Sequence, residues 1–264
     1  MISPGLSELR RLLGDLIGEH GNRPLVVFSA LWPLARAMGM PGRAANEGVL
    51  SLLWEFGRSR RLFAMPAFTP GFRDAFCDLD SEPSTTGVLT DTFRRQSGVR
   101  RTVSAFFSFA VTGPQAADLV ALRPAQAWGD GSVYHWFESE DVQFLMLGCH
   151  PTHCSYLHRA EQLLAERIPY RFFKQKEGRV RHERRDFDLA EDLYVRILEP
   201  EVINDLTVLR PVLEQSGMTV ADFAGAPVSV MGAKAMRDAT LVALSADPLM
   251  LVKNRQDFQR ESEN

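Results

Sequence analysis

The most constraining feature of this chain is the alternation of short apolar runs with longer amphipathic segments. Leu25 to Phe28, Leu62 to Phe68 and Val142 to Leu147 contain no charged residue. Runs this short and this apolar fit strands covered on both faces. Residues 6 to 20 place Leu6, Leu9, Leu12, Leu13 and Ile17 on one helical face, and residues 46 to 56 and 155 to 168 repeat that periodicity. Helices are also expected over 115–122, 201–216 and 232–246, and a short strand over 227–231. Val103 to Val111 is aromatic and β-prone, and the alternating charges of GRVRHERRDFD suit exposed strands. Strands separated by such helices argue a layered α/β/α fold around a central mixed sheet. Residues 1–254 are expected to form a single domain and 255–264 a tail.

Charge and cysteine content narrow the partners. Lys and Arg number 30 against 33 Asp and Glu, a formal charge of -3. That balance supplies no bulk attraction to nucleic acid or to an anionic membrane. An oligomer is compatible with it. No stretch is long and apolar enough to span a bilayer, and the amphipathic N-terminus lacks the apolar run of a signal peptide. Three cysteines, Cys77, Cys149 and Cys154, do not make a disulfide framework, so a reducing, cytoplasmic setting is expected.

The densest chemistry is CHPTHCSYLHRAEQ, residues 149 to 162, between a buried strand and a helix. Ligand sites of α/β proteins commonly lie at such junctions. His158 and Glu161 are three apart, so a helix puts them on adjacent turns of one face. A carboxylate holding one imidazole nitrogen fixes the tautomer and frees the other to take a proton, the arrangement a general base needs. The same spacing also describes an ordinary surface His–Glu pair. His150, His153, Cys154 and His158 have the ligand types of a zinc site but match no standard spacing. Cys154, four residues from His158, could pair with it as a nucleophile, although no thiol-enzyme signature surrounds it. The polar stretch from Thr69 to Gly87 carries Asp78 and Asp80, and a local acidic loop there would suit a polycationic ligand.

Taken in order, several fragments resemble the aminoglycoside 3-N-acetyltransferase family. LVVFSALWPLARAMG is similar to its opening strand and Ser-rich turn, and LFAMPAFT to its strand ending in Met-Pro-Thr. TGVLTDTFRRQSGVRRTVSAFFSFAVTGPQA resembles its Gly-Val-Leu segment, Arg-Ser element and Ser-Phe-x-x-x-Gly. WGDGSVYHWF is similar to its Gly-x-Gly-Ser element, CSYLHRAE to its Thr-x-Leu-His-x-x-Glu core, and ADPLMLV to a C-terminal element. The resemblance runs from about Leu25 to Val252.

The resemblance implies transfer of acetyl from acetyl-CoA to an amine, on a fold unlike that of the GNAT acetyltransferases. It implies His158 as general base and Glu161 as the residue that orients it, with no resident metal. It places CoA near Ser29, Ala30 and Leu31, with Arg101, Thr102 and Ser108 at the Arg-Ser and downstream Ser positions. Glu183 and Asp188 fall near acidic positions on the acceptor side. Oxyanion donors are expected near Ser29 or within Ser104 to Ser108. The chain also departs from the family. Phe28 stands where a His usually precedes the first Ser. Ser104 and Ala105 replace a His of the Arg-Ser element, and Cys154 and Ser155 replace the polar residue and Thr before the His. These changes bear on the acceptor more than on acetyl transfer. Acylation of a non-aminoglycoside amine, or a non-catalytic relative of the fold, are the alternatives.

Overall fold

A computed structural model describes residues 4–18 and 21–259. Its centre is a seven-stranded mixed sheet. The strands are β1 (Leu25–Ser29), β2 (Phe63–Pro66), β4 (Arg100–Arg101), β5 (Phe109–Thr112), β6 (Gln143–Leu147), β9 (Thr219–Phe223) and β10 (Ala226–Gly232). They lie side by side in the order β4-β5-β2-β1-β6-β10-β9. β1 runs parallel to both β2 and β6, and the outer pairings are antiparallel.

Alternation along the central strands sorts their side chains onto two apolar faces. Leu25, Val27, Leu145 and Leu147 face α1 (Pro4–Ile17), α2 (Leu31–Ala37), α3 (Gly42–Gly57) and α4 (Val88–Arg94). Val26, Phe28, Phe144 and Met146 face α5 (Ala116–Ala121), α6 (Val133–Ser139), α7 (Leu157–Leu163), α8 (Leu209–Gln215) and α9 (Ala233–Ala246). Both faces of these strands are buried, which is why they read as unbroken apolar runs. The expected α/β/α layering is therefore the observed one.

A second, three-stranded sheet holds β3 (Phe76–Asp78), β7 (Arg171–His182) and β8 (Arg185–Arg196). β7 and β8 form one long antiparallel hairpin built from the charged segment. Its inward residues Val180 and Leu189 pack on Cys77, Leu79, Val103 and Ala105 in a small core of their own.

Several expectations shift. Of Val103 to Val111, only the end joins the sheet, as β5. The helix expected over 201–216 shrinks to α8, preceded by a 3-10 turn at Leu206–Val208. The stretch before that turn is fastened instead by Asp205 N to Leu251 O (2.8 Å) and Ile203 N to Asn254 Oδ1 (2.9 Å). Within the expected tail, α10 (Gln256–Gln259) buries Phe258 against the main core, and residues 260–264 lie outside the described ones. Among the described residues, no helix is long and apolar enough to cross a membrane.

Candidate active site

The chain leaves β6 through Gly148, crosses a 3-10 turn at Pro151–His153 and enters α7, which carries His158. Gly148 has φ +72°, and a Cβ there would meet the Ala30 carbonyl oxygen at 2.4 Å. Only glycine lets the turns after β1 and β6 approach this closely. Trp128 and Tyr134 then hold the entry to α7. The Trp128 indole Nε1 donates to Ser155 O (3.1 Å), and the Tyr134 hydroxyl lies 2.8 Å from Ser155 Oγ. Arg159 fastens the other side, donating to Trp128 O (2.7 Å), Asp130 (2.8 Å) and Glu138 (3.2 Å).

His158 and Glu161 meet as their spacing requires. His158 Nδ1 is hydrogen-bonded to Glu161 Oε2. The His158 side chain is 23% exposed and that of Glu161 is fully buried. The other oxygen of Glu161 accepts from Tyr170 Oη and from Arg171 Nε, each at 2.8 Å. Burial pushes the Glu161 carboxyl up, but the Arg171 guanidinium, His158 and the Tyr170 hydroxyl outweigh it and hold it at about 2. An ionised Glu161 accepts the Nδ1 proton, which leaves Nε2 of His158 with a lone pair. Edge-on to the imidazole stands the Trp128 ring, with centroids 5.5 Å apart.

Tyr170 and Arg171 are the members of this cluster that the sequence does not announce. They lie nine and ten residues beyond Glu161 and reach it only because the chain reverses into β7. An arginine opening a strand right after a catalytic-looking helix is the one available signal, and it is faint.

The other candidate residues fall into separate groups. Ser29 ends β1, and Ala30 N donates to Leu147 O (3.0 Å) before Leu31 starts α2. Ala30 borders a cavity of about 560 Å³ at the carboxyl ends of β1 and β6, together with Trp32, Arg36, His150 and His153. A cavity at that edge of a sheet fits a nucleotide-bearing ligand such as CoA.

Arg101, Thr102 and Ser108 are buried and internally bonded. Arg101 donates to Ser108 Oγ (2.9 Å), Leu79 O (3.2 Å), Glu82 O (2.7 Å) and Ala67 O. Burial lowers its guanidinium to about 10. Thr102 Oγ1 accepts from Phe109 N, and Ser108 Oγ donates to Ala67 O, both at 2.8 Å. These groups brace the segment from Ala67 to Phe109. Three strand spacings, about 14 Å, also separate β4 from β1. In this arrangement Arg101 is a staple with its nitrogens engaged, rather than an arm free for a phosphate.

The expected acceptor-side carboxylates likewise serve the hairpin. Asp78 accepts from Asp80 N (3.0 Å) and from Ser81 Oγ (2.8 Å). Asp80 accepts from Glu183 N (2.7 Å) and Arg184 N (2.8 Å) at the β7–β8 turn. Glu183 pairs with Arg100 at 2.7 Å, and Asp188 is exposed on β8 opposite Arg179. β7 spans 12 residues from Arg171, so Glu183 lies about 40 Å of strand away from the His158 cluster. Position along the hairpin, which charge alone does not reveal, keeps these four residues apart from His158.

Two rival readings of the 149–162 segment lose their geometry. Cys154 is fully buried with its thiol pushed well up by desolvation, the opposite of a reactive thiolate. His150 Nδ1 is bonded within its own turn to Thr152 Oγ1 (2.9 Å). Among the described residues, no group of three or more His, Cys, Asp or Glu is arranged around a metal position.

The model of the family described as aminoglycoside 3-N-acetyltransferase matches residues 41–245. No curated protein matches the chain by sequence. Among solved structures, it is similar to AAC-IIIb in a binary complex with CoASH, with TM-score 0.74, 18% identity, and coverage of 91% of this chain and 96% of that one. It is similar to aminoglycoside acetyltransferase AAC(3)-Xa, with TM-score 0.75, 15% identity and 94% of each chain covered. AAC-VIa bound to sisomicin matches with TM-score 0.72, 20% identity, and coverage of 91% and 97%.

Proposed function

This chain belongs to the aminoglycoside 3-N-acetyltransferase family, and from that premise we propose that it transfers acetyl from acetyl-CoA to a primary amine of an aminoglycoside or a similar amino compound. It is an acyltransferase, and acetyl-CoA is its co-substrate. The observation that carries the reading is the hydrogen bond from His158 Nδ1 to a fully buried Glu161 that Tyr170 and Arg171 keep ionised.

The chemistry asked of the chain is limited. An amine is mostly protonated at neutral pH and must lose a proton to attack a thioester carbonyl. His158 Nε2, the nitrogen not bound to Glu161, takes that proton. Glu161 holds the ring in the required tautomer and stabilises the imidazolium as it forms. Arg171 and Tyr170 act one step further out by keeping Glu161 charged and in place. The acyl donor enters at the carboxyl ends of β1 and β6, where Ala30, Gly148 and His150 line the cavity and the 148–158 segment leads on to His158. The CoA thiolate leaves directly, so no nucleophilic Ser or Cys is demanded, in keeping with a buried and unreactive Cys154.

The test is thiol release from acetyl-CoA in the presence of a panel of primary amines that includes sisomicin, with the acetylated product identified by mass spectrometry. Release that depends on an amine is expected. Hydrolysis of acetyl-CoA without an acetylated amine would reject the reading.

A further inference from the structure

Residues 125–127 run alongside β8. Asp192 N donates to Ala125 O (2.8 Å) and Ala127 N donates to Asp192 O (3.0 Å), which brings Gln126 level with Asp192. Residues level with each other on neighbouring strands share a face, and every second residue along a strand returns to it. The face that carries Asp192 therefore also carries Tyr194 on β8, Arg171 on β7 and Gln126 on the third segment. These three side chains all reach α7 or the turn after it. Arg171 Nε donates to Glu161 Oε1 (2.8 Å), Tyr194 Oη donates to Ala165 O (3.4 Å), and Gln126 Oε1 accepts from Gln162 Nε2 (2.8 Å). Asp192, flanked by Tyr194 and Gln126, is half-buried on the side of the hairpin turned toward α7.

His158 belongs to the same neighbourhood. Gln162 follows it by one helical turn, about 6 Å along α7. Trp128, two residues beyond Gln126, stands edge-on to its ring at 5.5 Å. The hydrogen bonding of this corner is short of donors. Among the described residues, the Asp192 carboxylate has no hydrogen bond or ion pair. Gln162 is 8% exposed and its Oε1 has no partner. The nearby cations are spent, Arg171 on Glu161 and Tyr194 O, and Arg159 on Trp128 O, Asp130 and Glu138. A half-buried carboxylate in such a setting is completed by a ligand that brings positive charge and N–H groups.

We propose that Asp192 is the specificity residue of the acceptor side, holding a second ammonium group of the acceptor about one helical turn from the amine that gives its proton to His158 Nε2. This rests on the acetyl-transfer reading and names the residue that selects its acceptor. It asks for an acceptor with two amino groups a few ångströms apart, which a 1,3-diamine on a six-membered ring supplies. A monoamine covers the carboxylate without pairing it, and that costs binding free energy. The acidic side of the site thus lies at the base of the hairpin, not toward its tip, where Glu183 and Asp188 stand.

The experiment measures kcat/KM by thiol release for cis-1,3-diaminocyclohexane and cyclohexylamine, and KM for sisomicin, in wild type, Asp192→Asn and Asp192→Glu. Wild type is expected to prefer the diamine by at least about tenfold. Asp192→Asn keeps the size of the side chain and should reduce that preference to about twofold or less, raise the KM for sisomicin at least about tenfold, and leave the KM for acetyl-CoA within about twofold. Asp192→Glu should restore part of the preference. A preference that survives Asp192→Asn, or a wild type with none, overturns the assignment while acetyl transfer stands. A KM for acetyl-CoA that rises in step with that for sisomicin also overturns it, because it marks a structural role. Failure of every amine, sisomicin included, rejects both readings.

Discussion

Arg171 Nε donates to Glu161 Oε1 at 2.8 Å, and this contact ties the base of the β7–β8 hairpin to the helix that carries His158. Glu161 is fully buried and Arg171 nearly so, so neither charge has water to fall back on. The hairpin is thus coupled to the base through one carboxylate. A pair of this kind is costly to break from one side because the remaining charge stays buried and uncompensated.

Glu161→Ala should therefore destabilise the protein by about 3–5 kcal/mol by leaving Arg171 unpaired. Glu161→Gln keeps the volume but offers a neutral partner to Nδ1, and should lower kcat by about 10²-fold with a smaller loss of stability. Urea unfolding and thiol-release kinetics on both variants separate the two effects.

Arg171→Met should make the fold acid-sensitive. Burial raises the Glu161 carboxyl, and Arg171 is the largest influence opposing it. Because the folded carboxyl lies at about 2, below its ordinary 4.5, its contribution to stability is complete above pH 4.5 and disappears as pH falls toward 2. Without Arg171 that loss should begin at a higher pH, and the midpoint of acid unfolding should move up by at least about one unit. An unmoved acid midpoint would contradict the assigned role.

Glu191 should show the opposite pH dependence. Burial raises it from 4.5 to about 7 against the hydrogen bond from Ser104. Its contribution is complete below pH 4.5 and is lost as pH rises through about 7, a span worth up to about 3 kcal/mol. Relative to wild type, Glu191→Gln should gain stability at pH 8 compared with pH 5. Denaturation midpoints at the two pH values check this.

Arg101→Met distinguishes a staple from a phosphate ligand. Loss of its buried bonds to the Ala67, Leu79 and Glu82 carbonyls should cost about 2–4 kcal/mol, with the KM for acetyl-CoA changed by less than about twofold. A tenfold rise in that KM with unchanged unfolding would restore the phosphate contact implied by the family resemblance.

The parts of this molecule legible from sequence are those whose physics is local. The central strands advertise burial on both faces because Leu25, Val27, Val26 and Phe28 serve opposite cores. His158 and Glu161 advertise each other because a helix turn brings i and i+3 together. Contacts that depend on how the chain turns back are not legible in this way. Arg171 reaches Glu161 only across the reversal at Ile168 to Tyr170. Val103 to Ser108 looks like strand, yet Ser104 Oγ draws in the Phe106 and Phe107 amides and Glu191, and bends it into a loop. For Asp78, Asp80 and Glu183 the charge is plain in the sequence, but their commitment to one another's backbone and to Arg100 is not.

The proposed chemistry turns on His158 removing the acceptor's proton. The direct measurement is kcat/KM for the best acceptor, by thiol release from acetyl-CoA, in wild type and His158→Ala, with thermal unfolding run alongside. A loss of about 10³-fold or more is expected, in a variant that unfolds as wild type does and retains its KM for acetyl-CoA. A His158→Ala variant that turns over within a few-fold of wild type would contradict the assignment of the base.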